Sequence, residues 1–411
     1  MHDGGGARTI LIVCGGILQL PAIDAARDLG LHVVMTDGRI DAPAMRLADE
    51  PVQLDVYDVE GHVALVGELQ RSHELVGVFC EGADVEVTVA AAAAAAGLPG
   101  IPLEAAHNTK NKARTRACLD RAGIPNPAWV EVAAVAEADA AATGIGYPLI
   151  VKAVDNCASR GTTRVGDPHL LEDAVRVAIE SSTTSTALIE ECLAGSEQSV
   201  ELLFDQTGRA HRLNVVDRPF APSSSYAIEL GHVNPSALPL AEQERIYQLA
   251  EAAAAASGVA FGAFKADTIL TADGPRILEV TARLSGGFDC QKTTPLASGR
   301  NFIRAAMRLA CGMPLDPVDL EPKRNLHAAA WTAFPSPGRV VRVGGVDRAL
   351  GQPGVEEVLL RVEVGDVIPS YRDCATRPAF VIAAGRTSAE AIANAQRGVG
   401  VLEIETEPAA A

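Results

Sequence analysis

The sequence predicts an α/β chain of two or three domains, α+β in its central part, on three observations. Its 411 residues exceed what one ordinary core organises. Hydrophobic residues make up 48% of them, enough for sizeable cores. Short β-branched runs alternate with helical patterns through the first hundred residues, the rhythm of a parallel sheet with helices on both faces.

The elements follow in order. Residues 9–13 form a buried strand, Gly15 and Gly16 a turn, and 20–29 a helix ended by Gly30. A second strand at 31–35 closes at Asp37–Gly38. Then come helix 62–71, strand 76–80 and helix 85–96, capped by Gly97. The proline-containing stretch 98–102 marks a boundary. Helix 112–121 ends at Ala122-Gly123-Ile124-Pro125, and strand 148–154 runs into a polar loop at 155–161. Helix 170–181 and strands 187–191 and 198–204 follow, then a long helix at 240–257. Strands 262–270 and 276–280 are joined by Ala272-Asp273-Gly274, a turn of hairpin composition. Helix 301–311 leads to a linker at 314–322. The final ninety residues read as a small α+β unit: Val-rich strands, a helix at 388–397, a last strand near 401–404 and a frayed tail from 406.

Composition excludes several classes. A formal charge of −17 argues against nucleic-acid and anionic-membrane partners, which need a basic face. Eight scattered cysteines without a CxxC pair suit reduced thiols in a cytosol. The Gly-rich start carries no signal-peptide pattern, and no run approaches the ~20 apolar residues that span a bilayer. The expected location is the cytoplasm.

A strand followed by Cys14-Gly15-Gly16, with Asp37 ending the next strand, raises the alternative of a nicotinamide oxidoreductase. The full G-x-G-x-x-G is missing, and Gln19 stands in place of its last glycine. A tight turn is the plainer reading.

The chemistry concentrates between Lys112 and Arg283. Lys112 and Lys152 flank the loop that holds Arg160 and ends at Gly161, and a triphosphate needs such charges and close-approaching backbone. An apolar strand runs into Glu190 and Glu191, followed by Gly195 and Glu197. Asp267 and Glu279 lie on strands joined by a turn, and paired acids beside a phosphate site suit Mg²⁺. Each feature alone has a plain alternative: a snorkelling lysine, solvated glutamates, an edge-strand pair. Their combination in this order points to phosphate chemistry.

In these motifs the segment 108–312 resembles the ATP-grasp superfamily. Lys112 with Ala122-Gly123-Ile124-Pro125 is similar to the lysine-to-AGxP segment of biotin carboxylase and D-alanine–D-alanine ligase. Pro148-Leu-Ile-Val-Lys152 with Ser159, Arg160 and Gly161 resembles the family's strand and phosphate-covering loop. Glu190-Glu191-Cys192-Leu193 resembles its adenine hinge, with Glu197 on the ribose. Asp267 and Glu279 match the metal acids, and Arg283 the arginine that follows. Two departures stand out: loop 155–159 is poor in glycine, and Thr281 replaces the usual Asn.

The resemblance implies an N-terminal Rossmann-like domain (1–105), an ATP-grasp domain (106–320, lid about 125–190) and a C-terminal domain (321–411). It also implies ATP with one or two Mg²⁺, or Mn²⁺ in their place. Within the superfamily, Glu229-Leu-Gly-His232, Arg283-Leu-Ser-Gly286-Gly287 and the late segment with Arg377 are similar to L-amino acid ligases of the bacilysin synthetase kind. The implied reaction converts a small carboxylate to its acyl phosphate for attack by an amine or amino acid. Lys112, Lys152, Arg160 and the metal would neutralise the transferring phosphoryl. Arg283, Gly286 and Gly287 would steady the oxyanion, Glu229 would hold an ammonium, and His232 would deprotonate it. A homodimer is the implied assembly. The rivals are a carboxylase of the same fold using bicarbonate and a nucleotide-binding homologue without turnover.

Overall fold

The computed structural model describes residues 7–221 and 225–408; parts of the leader, of the 217–225 loop and of the tail lie outside them. Strands β1 (Arg8–Val13), β2 (His32–Asp37), β3 (Glu50–Gln53) and β4 (Glu74–Phe79) form a parallel sheet in the order β3-β2-β1-β4. Successive side chains of β1 point to opposite faces, and both faces are covered, as a parallel sheet requires. Ile10 and Ile12 pack with Ile23 and Met35, Leu11 and Val13 with Val66 and Leu69. Helix Phe302–Ala310, distant in sequence, closes the first face with Phe302, Ile303 and Met307.

The Gly15–Gly16 turn is a packed structural turn. A Cβ on Gly15 would collide with Met45, and the Gly15 N–H donates to Asp37 Oδ2 at 2.9 Å. The Asp37 carboxylate also accepts from Arg39 N–H at 2.9 Å, so the acid that a ribose would need is occupied closing its own loop.

Strands β5 (Trp129–Val132), β6 (Leu149–Ala153), β7 (Thr163–Val165) and β8 (Ala187–Glu191) form a small antiparallel sheet in the order β5-β8-β6-β7. Helices Ala138–Ile145 and Leu171–Glu180 cover it over a core of Leu149, Val151, Leu171, Val175 and Ile189.

The largest sheet has eight strands. It runs through β9 (Ser196–Phe204), β10 (Ala210–Asp217), β11 (Gly231–Asn234), β12 (Gly262–Thr271), β13 (Gly274–Thr281) and β14 (His327–Thr332). After β15 (Gly338–Gly344) it takes in β16 (Val355–Leu360) and, beyond β17 (Val367–Ile368), β18 (Ala379–Gly385). Its order is β13-β12-β9-β10-β11-β14-β18-β16. Helix Leu240–Ser257, ended by Gly258 in the left-handed conformation, packs Ile246, Ala250 and Ala253 on Val200, Leu202, Phe264 and Val280. Helix Ser388–Gly400 covers the other end of the sheet, over Val233, Val355 and Val381. Strand β19 (Glu403–Glu407) joins β15 and β17 in a three-stranded sheet.

The structure corrects two readings of the C-terminal half. The tail expected from 406 is still strand, with Thr406 paired to Val340 and Glu407 to Arg339. The linker expected at 314–322 is docked: helix Pro317–Leu320 buries Asp319 completely against Arg304 at 2.5 Å. All eight cysteines are free. Among the described residues no helix is long and apolar enough to cross a membrane.

Candidate active site

The site grows from one face of the large sheet. Alternation puts Val200, Leu202, Phe264, Ala266 and Val280 on the helix-covered face. It leaves Glu197, Ser199, Lys265, Asp267, Glu279 and Thr281 on the other. Antiparallel register sets Asp267 directly opposite Glu279, and Lys265 opposite Thr281, across the β12–β13 hairpin. The spacing read from the sequence thus places the two carboxylates side by side.

That polar face floors a cleft of about 350 Å³. Of the sequence-derived residues, Ser159, Glu229, His232, Asp267, Glu279, Thr281, Arg283, Gly286 and Gly287 line it. The opposite wall comes from the loop after β4, through Gly82, Ala83 and Asp84. This is the carboxyl end of a parallel sheet, where open α/β sheets bind ligands. The two walls touch closely: a Cβ on Gly286 would lie 3.0 Å from Gly82 O. The N–H groups of Gly286 and Gly287 have no acceptor among the described residues.

The charges form four ion-paired groups. Buried Glu190 bonds Arg116 at 2.8 Å and Lys152 at 2.7 Å. Lys112 bonds Glu279 at 2.8 Å. Asp267 is held by Lys265 at 2.6 Å and Arg218 at 2.7 Å. Arg218 reaches on to Glu229 at 3.2 Å, with Arg377 at 3.7 Å from the same carboxylate. Arg283 forks onto Asp84, its Nε at 2.7 Å.

Burial alone would push all of these carboxyls up, and the cations overcome it. Arg218 and Lys265 hold Asp267 well below the usual carboxylate range, and Arg218 and Arg377 bring Glu229 down to about 2. Glu279 is lowered by Lys112 against both burial and the Asp267 charge. Burial lowers Lys152 and also His232, whose Nε2 lies 3.0 Å from Thr293 Oγ1. Glu197 goes the other way, raised to about 7 by burial, with Asp267 and Glu229 adding to the rise.

Loop 155–161 reaches left-handed backbone at two non-glycine residues, Ala158 (φ 55°) and Ser159 (φ 62°), as well as at Gly161 (φ 70°). The N–H groups of Ala158, Ser159 and Gly161 have no acceptor among the described residues, an arrangement that suits phosphate oxygens. The loop is docked across the cleft, where Ala158 O accepts from Cys374 N–H at 2.9 Å.

Not every expected residue faces the cleft. Arg160 turns back into its own loop, Nε on Asn156 Oδ1 and Nη2 on Cys157 Sγ, each at 2.9 Å. The Glu190 side chain is spent on its ion pairs. The Glu191 N–H donates to Ala128 O at 2.9 Å, while the Leu193 N–H is uncommitted among the described residues.

Several cleft residues escaped the sequence reading. Lys265 was open to it, because it lies two positions before Asp267 on the same strand face. Asp84 was too, just beyond the carboxyl end of β4. Arg218 and Arg361 carry no local signal; only the tertiary fold brings them to the cleft.

Residues 145–291 match the ATP-grasp domain, and residues 330–407 match the L-amino acid ligase C-terminal domain 2. The chain carries an ATP-grasp domain and the fold that goes with it. Its ATP-grasp fold is similar to the crystal structure of the L-amino acid ligase from Bacillus licheniformis. The TM-score is 0.83 at 23% identity, over 98% of this chain and 99% of that one. The formate-dependent phosphoribosylglycinamide formyltransferase of Synechococcus sp. (strain WH7803) is 26% identical, over 97% of this ATP-grasp chain and 98% of the relative. Carnosine synthase 1 of Gallus gallus is 28% identical over 85% of this chain, which spans 40% of that longer protein.

Proposed function

We propose that this ATP-grasp ligase joins a small carboxylic acid to the amine of an amino acid through an acyl phosphate, releasing ADP and phosphate. The juxtaposition of Asp267 and Glu279 in a cleft that also holds Lys265, Arg218 and Arg283 carries the reading. The acid's carboxylate oxygen attacks the γ-phosphorus and ADP leaves. The amine nitrogen then attacks the acyl carbon, and phosphate leaves.

The residues fit a divalent cation. Asp267 and Glu279 are adjacent carboxylates, and the buried Thr281 Oγ1 has no hydrogen-bond partner. These three would hold Mg²⁺, with Lys112 and Lys265 as the cations it displaces from the acids. The ion supplies charge neutralisation on the transferring phosphoryl. The chain's own groups do the rest. Lys152 and the free N–H groups of loop 155–161 hold phosphates, and the uncommitted Leu193 N–H meets the base. Arg283 and the N–H groups of Gly286 and Gly287 stabilise the oxyanion. His232, kept neutral by burial, accepts the ammonium proton.

Glu229, clasped by Arg218 and Arg377, keeps those cations in place and presents its remaining negative charge to the amine. Arg361, a cleft guanidinium without a carboxylate partner among the described residues, takes the amino acid's carboxylate at the mouth. We further propose the three-part division 1–105, 106–320 and 321–411, with strands from both sides of residue 320 completing one sheet around the cleft.

Phosphate release from Mg-ATP across a panel of acid and amino-acid pairs tests the reading. ADP and phosphate in equal amounts, dependent on both partners, are expected. Stoichiometric AMP would overturn the acyl-phosphate mechanism, and release supported by bicarbonate alone would favour a carboxylase.

A further inference from the structure

A second cluster lies on the N-terminal sheet, at the opposite ends of its strands. His32 opens β2, Glu50 opens β3, and His73 directly precedes β4. All three strands are parallel, so these residues gather at the sheet's amino edge, while the cleft lies beyond its carboxyl edge. Glu50 Oε1 lies 2.9 Å from His32 Nε2 and 3.0 Å from His73 Nε2. The imidazoles stack with centroids 5.4 Å apart, and one ligand atom from each residue lies within 4.8 Å of the other two.

The outward nitrogens of both rings already face oxygens. His32 Nδ1 lies 3.6 Å from Asp49 Oδ2, and that oxygen is itself fixed by the Val33 N–H at 2.8 Å. His73 Nδ1 lies 2.9 Å from Ser72 Oγ, and that hydroxyl reaches Glu68 O at 3.2 Å. Acceptors at Nδ1 favour the tautomer with its proton there, which turns the Nε2 lone pairs inward. In that tautomer both Nε2 lone pairs and the Glu50 carboxylate converge on one point, an arrangement that a cation between them satisfies. Without an ion, Nε2–H groups donating to Glu50 satisfy the same contacts, and metal titration separates the two states.

We propose that His32, His73 and Glu50 bind a divalent transition-metal ion of the Zn²⁺ class, through both Nε2 atoms and the Glu50 carboxylate, with Asp49 and Ser72 orienting the rings. Two imidazoles and a carboxylate with water on the open side form a donor set suited to Zn²⁺. The oxygen-rich cleft suits Mg²⁺ instead. The ion ties the starts of β2 and β3 to the turn before β4, three segments far apart in the chain. Its role is to brace the N-terminal sheet, away from the reacting atoms.

The test is titration of the purified, metal-stripped protein with Zn²⁺ and with Co²⁺, in the presence of saturating Mg²⁺ to cover the cleft. One equivalent of Zn²⁺ should bind, and Co²⁺ should give d–d bands without thiolate charge-transfer absorption. His32→Gln/His73→Gln should weaken that binding by on the order of 100-fold or more, and Glu50→Gln measurably less. ATP-dependent turnover should be unchanged in all variants, which separates this site from the proposed ligase reaction. Unaltered Zn²⁺ affinity in Glu50→Gln and in the histidine variant would overturn the assignment. So would thiolate bands with Co²⁺, or the lack of a stoichiometric site in the parent protein. Should the double variant fail to fold, Glu50→Gln alone carries the test.

Discussion

At Glu279 a carboxylate lies 2.8 Å from the Lys112 ammonium and directly opposite the carboxylate of Asp267. Replacing it with Gln keeps the shape and the hairpin pairing but removes the charge on which a divalent cation would sit. The Glu279→Gln protein should fold, with kcat reduced roughly 10²–10³-fold, the scale of losing one fixed electrostatic partner of a transferring group. Steady-state phosphate release at saturating Mg²⁺ measures this, and a near-parental rate would remove Glu279 from the metal site. In the proposed reaction Glu229 belongs to a different step. Its charge is shared by Arg218 and Arg377, so Glu229→Gln should loosen the amine end of the cleft while leaving the nucleotide end intact. The KM for the amino acid should rise about ten- to a hundredfold, matching the loss of a charge-assisted contact of roughly 1.5–3 kcal/mol, with the KM for ATP nearly constant. Parallel movement of both constants would make Glu229 a structural residue only.

At the scale of elements, Glu190 shows what a strand position can conceal. Its side chain leaves β8 for the buried Arg116 of helix Lys112–Arg121 and for Lys152 on β6. Arg116 also donates to Leu278 O of β13 at 2.6 Å. One carboxylate thus binds the small sheet to the β12–β13 hairpin. Removing its charge leaves two buried cations uncompensated, a loss of about 3–5 kcal/mol for breaking such a cluster. Glu190→Gln should therefore lower the urea midpoint clearly, whereas a midpoint within experimental error of the parent would show the cluster to be dispensable. The same residue marks the limit of sequence reading. The order of lysines, paired acids and hairpin was legible because β12, β13 and loop 155–161 state their chemistry locally, through period-two alternation and turn residues. Strand β3 was not, because Glu50-Pro51 opens a strand of four residues at a sheet edge. The roles of Glu190 and Arg218 were hidden too, since Glu190 pairs with Arg116 across 74 positions and Arg218 with Asp267 on β12. Only packing decides such pairs. Arg160 shows the converse: its motif is local, but its guanidinium is consumed by Asn156 and Cys157.

Across the whole molecule, the buried acids divide into two populations with opposite effects on stability. Asp84, Asp267, Glu190, Glu229 and Glu279 are held below their ordinary values by neighbouring cations against the cost of burial. Burial raises Glu81 to about 8. It raises Glu86, Glu197 and Glu201 to about 7, with Asp84 adding to the rise at Glu86 and Asp289 at Glu201. Both carboxylate oxygens of Glu81 are buried without a hydrogen-bond partner, and no neighbouring cation favours its charged form. For the raised group the folded state holds more protons than the unfolded chain between pH 4.5 and about 7 to 8. Its stabilisation is therefore complete below pH 4.5 and is lost as the pH climbs through that window. The lowered group works in reverse, lost only in acid as the pH falls below the ordinary carboxylate range. Between pH 5.5 and 8 the lowered acids are already ionised in both states; the raised four make stability fall with pH, while His62 and His232, lowered by burial, oppose them in the lower part of the window. Self-repulsion at a formal charge of −17 acts in the same direction as the raised acids. The urea midpoint should accordingly fall from pH 5.5 to pH 8, and Glu81→Gln should flatten that decline and raise the midpoint at pH 8. A Glu81→Gln profile parallel to the parental one would mean that Glu81 is not kept neutral by burial.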